Sequence, residues 1–266
     1  MYLKAKRNQQ TMNNRKLLFQ TIAMIMLSAF SVVRAQQKIT IVAAANLKVA
    51  LDSITTVFKI QNPKIDAQVT YGASGKLFEQ ISNGAPFDLF FSADMDYPNE
   101  LKKKNLTTSE VKMYATGKLA LWSKKTDPNI KKMNTLLNAN IVKIAIANPA
   151  TAPYGEKAVE SLKFYKVYDK VKSKLVFGEN ITQAAQYATT GAADIGIVAL
   201  SLVLTPNMQK ENGKYYIIPE KSHAPLEQGC VILKRAQGNA NAAKFYNFIS
   251  SKKAANILKY YGYSTK

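Results

Sequence analysis

The chain of 266 residues contains one cysteine, one histidine and one tryptophan. A lone cysteine forms no internal disulfide. Cys230 lies in the apolar run Cys230-Val231-Ile232-Leu233, where a buried thiol is expected. One histidine and one cysteine cannot assemble a zinc site of ordinary composition, and a core-bound Cys230 is no partner for a Cys-His nucleophile. His223 sits in the polar turn Glu220-Lys-Ser-His-Ala-Pro225 and reads as a surface-loop side chain. Arginine is equally scarce. Beyond residue 35 only Arg235 remains among 31 basic residues, against 17 acidic ones. Base readout and bidentate phosphate clamps favour arginine, and no basic block is interleaved with aromatics, so no nucleic-acid partner is expected. The formal charge of +20 reads as a lysine-rich solvated surface whose field raises the encounter rate of a dianion. Repeats and low-complexity tracts are absent, and no apolar run beyond residue 35 approaches the length of a membrane span.

The first 35 residues have a different character. Lys4, Lys6, Arg7, Arg15 and Lys16 precede the apolar stretch Leu17 to Val33, and Val33-Arg34-Ala35 offers small residues for cleavage. This is the pattern of a secretory signal peptide over residues 1–35, with Met12 as an alternative start. No cysteine stands at the junction to carry a lipid, so a soluble periplasmic protein is expected.

The remainder alternates short β-branched runs with helical patterns. Ile39 to Ala44, Ala67 to Tyr71, Asp88 to Ala93, Leu119 to Ser123, Ile141 to Ala147, Lys174 to Phe177, Ile195 to Ala199, Tyr215 to Ile218 and Gln228 to Leu233 read as strands. Between them fall helices at Leu47 to Ile60, Lys76 to Ser82, Pro98 to Lys104, Gly155 to Phe164 and Ile181 to Thr189, with two more closing the chain. Such alternation predicts an α/β architecture with mainly parallel sheets.

No catalytic constellation emerges. Gly72-Ala73-Ser74-Gly75-Lys76 is too short for a P-loop, has Leu77 where a magnesium-holding hydroxyl should stand, and lacks the spacing of a nucleophile elbow. What recurs is a strand, a turn of small residues and a helix start. Ala43-Ala44-Ala45-Asn46 places Asn46 at a predicted N-cap, and Tyr71-Gly72-Ala73-Ser74-Gly75 places Ser74 at a helix mouth. Thr151-Ala152-Pro153-Tyr154-Gly155 and Gly178-Glu179-Asn180-Ile181 repeat the arrangement. Each turn alone is ordinary capping. Together they bring helix N-termini, with free N–H donors and partial positive charge, where small residues permit close approach. Such a site suits an oxyanion that carries only acceptors, such as molybdate, tungstate or sulfate, better than a protonated phosphate.

These motifs resemble the periplasmic molybdate-binding proteins of the type-II solute-binding fold, from Lys38 to Lys266. The resemblance is carried by Ile39-Thr-Ile-Val-Ala-Ala-Ala-Asn-Leu47, Tyr71-Gly-Ala-Ser-Gly-Lys-Leu77, Gly84-Ala-Pro-Phe-Asp-Leu-Phe-Phe-Ser-Ala-Asp94, Asp194-Ile-Gly-Ile-Val198 and the ending Ala254 to Tyr263. It implies a two-lobed fold, each lobe a mainly parallel sheet flanked by helices. Residues 36–116 plus 226–266 would form lobe one and 117–225 lobe two, joined by two hinge crossings near Gly117 to Leu121 and Pro225 to Val231. It implies side-chain donation from Asn46 and Ser74 to the anion, and backbone N–H donation from Tyr154 and Ile181, with Ala45 beside Asn46. Some members use a tyrosine just after the Gly-Ile-Val strand. Here that position is Ala199, so the chain would bind with fewer side-chain donors, or a backbone group or Tyr154 would replace it. The implied function is capture of molybdate or tungstate by a monomer, with no cofactor, and delivery to the permease of an ABC importer. Sulfate or thiosulfate is the alternative ligand.

Overall fold

The computed structural model describes residues 37–265. The expected signal peptide, residues 1–35, lies outside the described residues. Among those described, no helix is long and apolar enough to cross a membrane.

Strand β1 (Gln37–Ala44) shows why its sequence is so uniformly apolar. Ile39, Ile41 and Ala43 face one core and Val42 faces another, so both sides of the strand are covered. It pairs in parallel with β2 (Ile65–Gly72) and β3 (Leu89–Phe91). With β4 (Lys112–Gly117) and β10 (Leu226–Ile232) these make a sheet of order β2-β1-β3-β10-β4. The second sheet joins β5 (Leu119–Ser123), β6 (Ile144–Ala147), β7 (Leu175–Gly178), β8 (Ile195–Ala199) and β9 (Lys214–Ile217) in the order β7-β6-β8-β5-β9.

Each sheet has one reversed strand, β10 in the first and β5 in the second. These are the strands by which the chain enters a sheet after crossing from the other. Only Lys118 separates β4 from β5, while residues 218–225 carry the chain back. The sheets are therefore mixed at that side and parallel elsewhere. β4 is a strand that sequence pattern does not reveal: Lys-Met-Tyr-Ala-Thr-Gly has no continuous apolar run, and the strand is held at a sheet edge by pairing with β10.

The longer helices are α1 (Lys48–Gln61), α2 (Ser74–Ser82), α3 (Asp96–Lys103), α4 (Pro153–Phe164), α5 (Ile181–Thr190), α6 (Ala240–Phe248) and α7 (Lys252–Tyr260). In α1, Ala50, Leu51, Ile54 and Phe58 form one buried stripe, and Phe58 meets Phe245 of α6 edge-to-face at 4.9 Å. Three helices begin earlier than the apolar pattern indicates, α2 at Ser74, α3 at Asp96 and α4 at Pro153. Proline suits a first helical position because its missing N–H would be unpaired there anyway. The shift matters, because it places Ser74 and Tyr154 inside the first turn.

Two local expectations need correction. Asn46 is not an N-cap: it lies within the 3-10 turn Ala45–Leu47, and α1 follows from Leu47 with no side-chain cap. His223 is half-buried rather than a free surface side chain. Its Nδ1 is 2.7 Å from the carbonyl of Ala224 and its Nε2 is shielded from solvent.

Candidate functional site

The four strand-to-helix turns converge on one small cavity. Ala44, Ala45 and Asn46 reach it from the end of β1, and Gly72, Ala73 and Ser74 from the end of β2. Ala93 follows β3, while Ala152, Pro153 and Tyr154 open α4, and Asn180 and Ile181 open α5. Every site residue expected from the sequence lines this cavity. The cavity is small, about 10 Å³, room for roughly one water-sized particle, so it suits a small ion rather than a drug-sized ligand. No charged side chain lines it.

The donors can be counted turn by turn. In α5, Asn180 Oδ1 accepts from the N–H groups of Thr182 (3.0 Å) and Gln183 (3.1 Å), which leaves the Ile181 N–H for the cavity. In α2, the Gly75 N–H crosses to the carbonyl of Thr151 at 2.9 Å, leaving that of Ser74. In α4, Pro153 has no N–H, and those of Gly155 and Glu156 are taken by Ala152 O, leaving that of Tyr154. Ser74 Oγ accepts from the Ala93 N–H at 3.0 Å, so its own hydrogen remains available. Helix starts thus present several neutral donors to one point.

Behind the cavity lies a buried polar network that sequence reading did not anticipate. Asn46 Nδ2 donates to Gln228 Oε1 (3.0 Å) and to the Tyr263 hydroxyl (2.8 Å). Tyr114 is 2.9 Å from Gln228 Oε1, and Gln228 Nε2 donates to the Tyr154 hydroxyl at 3.1 Å. Ser201 Oγ donates to Asn46 O at 3.0 Å, with Tyr263 alongside. Burial pushes the phenols of Tyr114, Tyr154 and Tyr263 up, keeping them neutral. The Asn46 amide donors are therefore engaged by protein acceptors rather than directed to the cavity. Ala199 carries no hydroxyl, and those of Ser201 and Tyr263 converge on Asn46 O. The one available signal was Gln228, a polar residue at the head of an apolar strand.

The rim is polar and spans both sheets. Thr182 Oγ1 donates to Ala45 O at 3.1 Å, and Lys76 pairs with Glu179 at 2.8 Å. Glu179 is held by Lys76, which lowers its pKa. Asp94, next to Ala93, is raised to about 6 by burial. Among the described residues, no group of three or more His, Cys, Asp or Glu could hold a metal ion.

Residues 39–264 match the model of the bacterial extracellular solute-binding protein family. The chain belongs to that family. Among these solute-binding proteins, the molybdate-binding protein ModA of Rhodobacter capsulatus is 33% identical over 92% of this chain and 95% of its own. The ModA of Azotobacter vinelandii is 35% identical over 85% of this chain and 89% of its own. The solved structure of the Azotobacter vinelandii periplasmic molybdate-binding protein superposes with a TM-score of 0.79 at 32% identity, covering 86% of this solute-binding protein and 99% of that chain.

Proposed function

We propose that this solute-binding protein captures a tetrahedral oxyanion, molybdate first and tungstate beside it, in the periplasm and delivers it to the permease of an ABC importer. The observation that carries the reading is the neutral cage: N–H groups of Ser74, Tyr154 and Ile181, with the Ser74 hydroxyl and the turn at Ala45 and Asn46, around a cavity with no charged lining. A fully deprotonated dianion has only acceptors, so donors alone satisfy it, and no carboxylate lines the cavity to accept from a protonated phosphate. Helix N-termini supply compensating partial charge without a cationic side chain. The two halves, residues 36–116 plus 226–266 and 117–225, close over the ion about Lys118 and residues 218–225, and the closed monomer is the form that the permease reads. The names of the relatives agree with molybdate.

Titration calorimetry against molybdate, tungstate, sulfate, thiosulfate and phosphate tests the reading. Molybdate or tungstate is expected to bind most tightly, and tightest binding of sulfate or thiosulfate would overturn the ligand. Ser74→Ala removes a hydrogen bond to a charged group and is expected to cost roughly 1.5–3 kcal/mol, about 10- to 150-fold in Kd.

A further inference from the structure

The network behind the cavity does not balance its hydrogens. Asn46 is 2% exposed and its Oδ1 is buried with no hydrogen-bond partner. Its Nδ2 faces Gln228, Tyr263 and Tyr154 within the network, which leaves Oδ1 as the unpaired corner of a residue that lines the anion cage. An unpaired acceptor there would repel a dianion. The imbalance continues along the network. The single Tyr114 hydrogen serves both Ser92 O and Gln228 Oε1, each at 2.9 Å. Among the described residues no acceptor takes the hydrogen of the Tyr154 hydroxyl, which receives from Gln228 and from the Asn46 amide.

We propose that Gln228 is the positioning residue that orients the Asn46 amide, and that in the anion-bound protein both amides are turned by half a rotation. This inference rests on the oxyanion reading above. With both amides turned, the orphaned Oδ1 gains donors and the Tyr114 hydrogen is no longer divided, at the same heavy-atom distances, while the Tyr263 hydrogen is shared between Asn46 Oδ1 at 2.8 Å and Asn46 O at 2.9 Å. Gln228 Nε2 donates to Asn46 Oδ1 across the 3.0 Å contact and to the Tyr114 hydroxyl across 2.9 Å. Tyr114 then gives its hydrogen to Ser92 O, Tyr154 donates to Gln228 Oε1, and Tyr263 donates to Asn46 Oδ1. The Ser201 hydroxyl remains on Asn46 O. Asn46 Nδ2 then occupies the corner that has no protein partner and can donate to the cage. The site becomes all-donor, and selects acceptor-only anions, because Gln228 can donate to Asn46 while accepting from Tyr154. Since Gln228 stands on β10, the orientation is set from the strand that follows the second crossing.

Gln228→Glu tests this. When protonated, the glutamic acid can still donate to Asn46 Oδ1; when ionised it only accepts and draws the Asn46 hydrogens away from the cage. Burial raises the carboxyl into the neutral range, so molybdate affinity should fall at least tenfold from about pH 6 to about pH 9 relative to wild type, in which Asp94 near the cage also titrates at about 6. Direct repulsion between carboxylate and anion would survive removal of the amide, so the step is measured again in Asn46→Ala/Gln228→Glu. Loss of the step in the double variant supports action through Asn46; its persistence overturns the proposal. Gln228→Met should bind weakly with no pH step, and a step there would also overturn it. If Gln228→Glu does not fold, the crystal structure of the wild-type molybdate complex decides. An anion oxygen within about 3.2 Å of the amide corner away from Gln228 requires nitrogen there, and a corner beyond reach overturns the assignment. Absence of any anion binding by wild type would instead refute the function.

Discussion

At Asp94 a carboxylate is half-buried next to the cage residue Ala93 with only Ser92 Oγ (2.9 Å) and the Tyr97 N–H (3.1 Å) to compensate it. Burial raises its pKa from 3.8 to about 6, so the folded state holds the proton more tightly than the unfolded chain. Stability therefore falls as pH rises from about 4 to about 6 and stays reduced above that. Asp94→Asn is expected to raise unfolding stability at pH 8 by on the order of 2 kcal/mol, with the difference vanishing near pH 4 in paired urea titrations. At this scale the sequence identified Asn46 and Ser74 as polar residues in small-residue turns. It could not show that the Asn46 amide is bound by Gln228, 182 positions away, and by Tyr263, 217 positions away. Hydrogen-bond partners at such separations leave no periodic trace.

Secondary-structure elements were more legible. Apolar runs covered on both faces marked β1, β3, β6 and β8, and the stripe Ala50, Leu51, Ile54, Phe58 marked α1. The edge strand β4 escaped because pairing rather than burial of both faces holds it, and helix starts were misplaced where Ser74 and Pro153 open a helix with no apolar residue. Asn180 did read correctly as a turn residue ahead of α5, and it caps that helix through Thr182 and Gln183. At the other end Gly191, with φ of 80°, ends the helix in the left-handed region. Asn180→Ala is expected to cost about 1 kcal/mol in urea unfolding and to weaken anion binding, because fraying of the first turn disperses the Ile181 N–H. Unchanged affinity beside lowered stability would show that Ile181 is not a donor.

Across the whole molecule, the two sheets meet around the cavity through short polar contacts, and Gly75 shows how closely they approach. A Cβ there would lie 2.5 Å from the Tyr97 hydroxyl and 2.9 Å from Thr151 O, while the Gly75 N–H bonds that same carbonyl. Tyr97 can swing aside, but the Thr151 backbone cannot. Gly75→Ala should hold the halves apart, lowering anion affinity about tenfold or more, some 1.4 kcal/mol, without loss of folded stability in the ligand-free protein. Calorimetry with a parallel melting curve checks both. The exposed Lys76–Glu179 pair contributes less, since solvent screens both partners.

The amino-acid order alone determined the α/β alternation, the poverty of catalytic and metal-ligating groups, and the four small-residue turns that open helices, because these depend on local periodicity and composition. Convergence of those turns on one cavity, the reversal of β5 and β10, and the Gln228 network were decided only by the tertiary structure. Each joins residues far apart in the chain, and such contacts are settled by packing and hydrogen-bond balance rather than by neighbours in sequence.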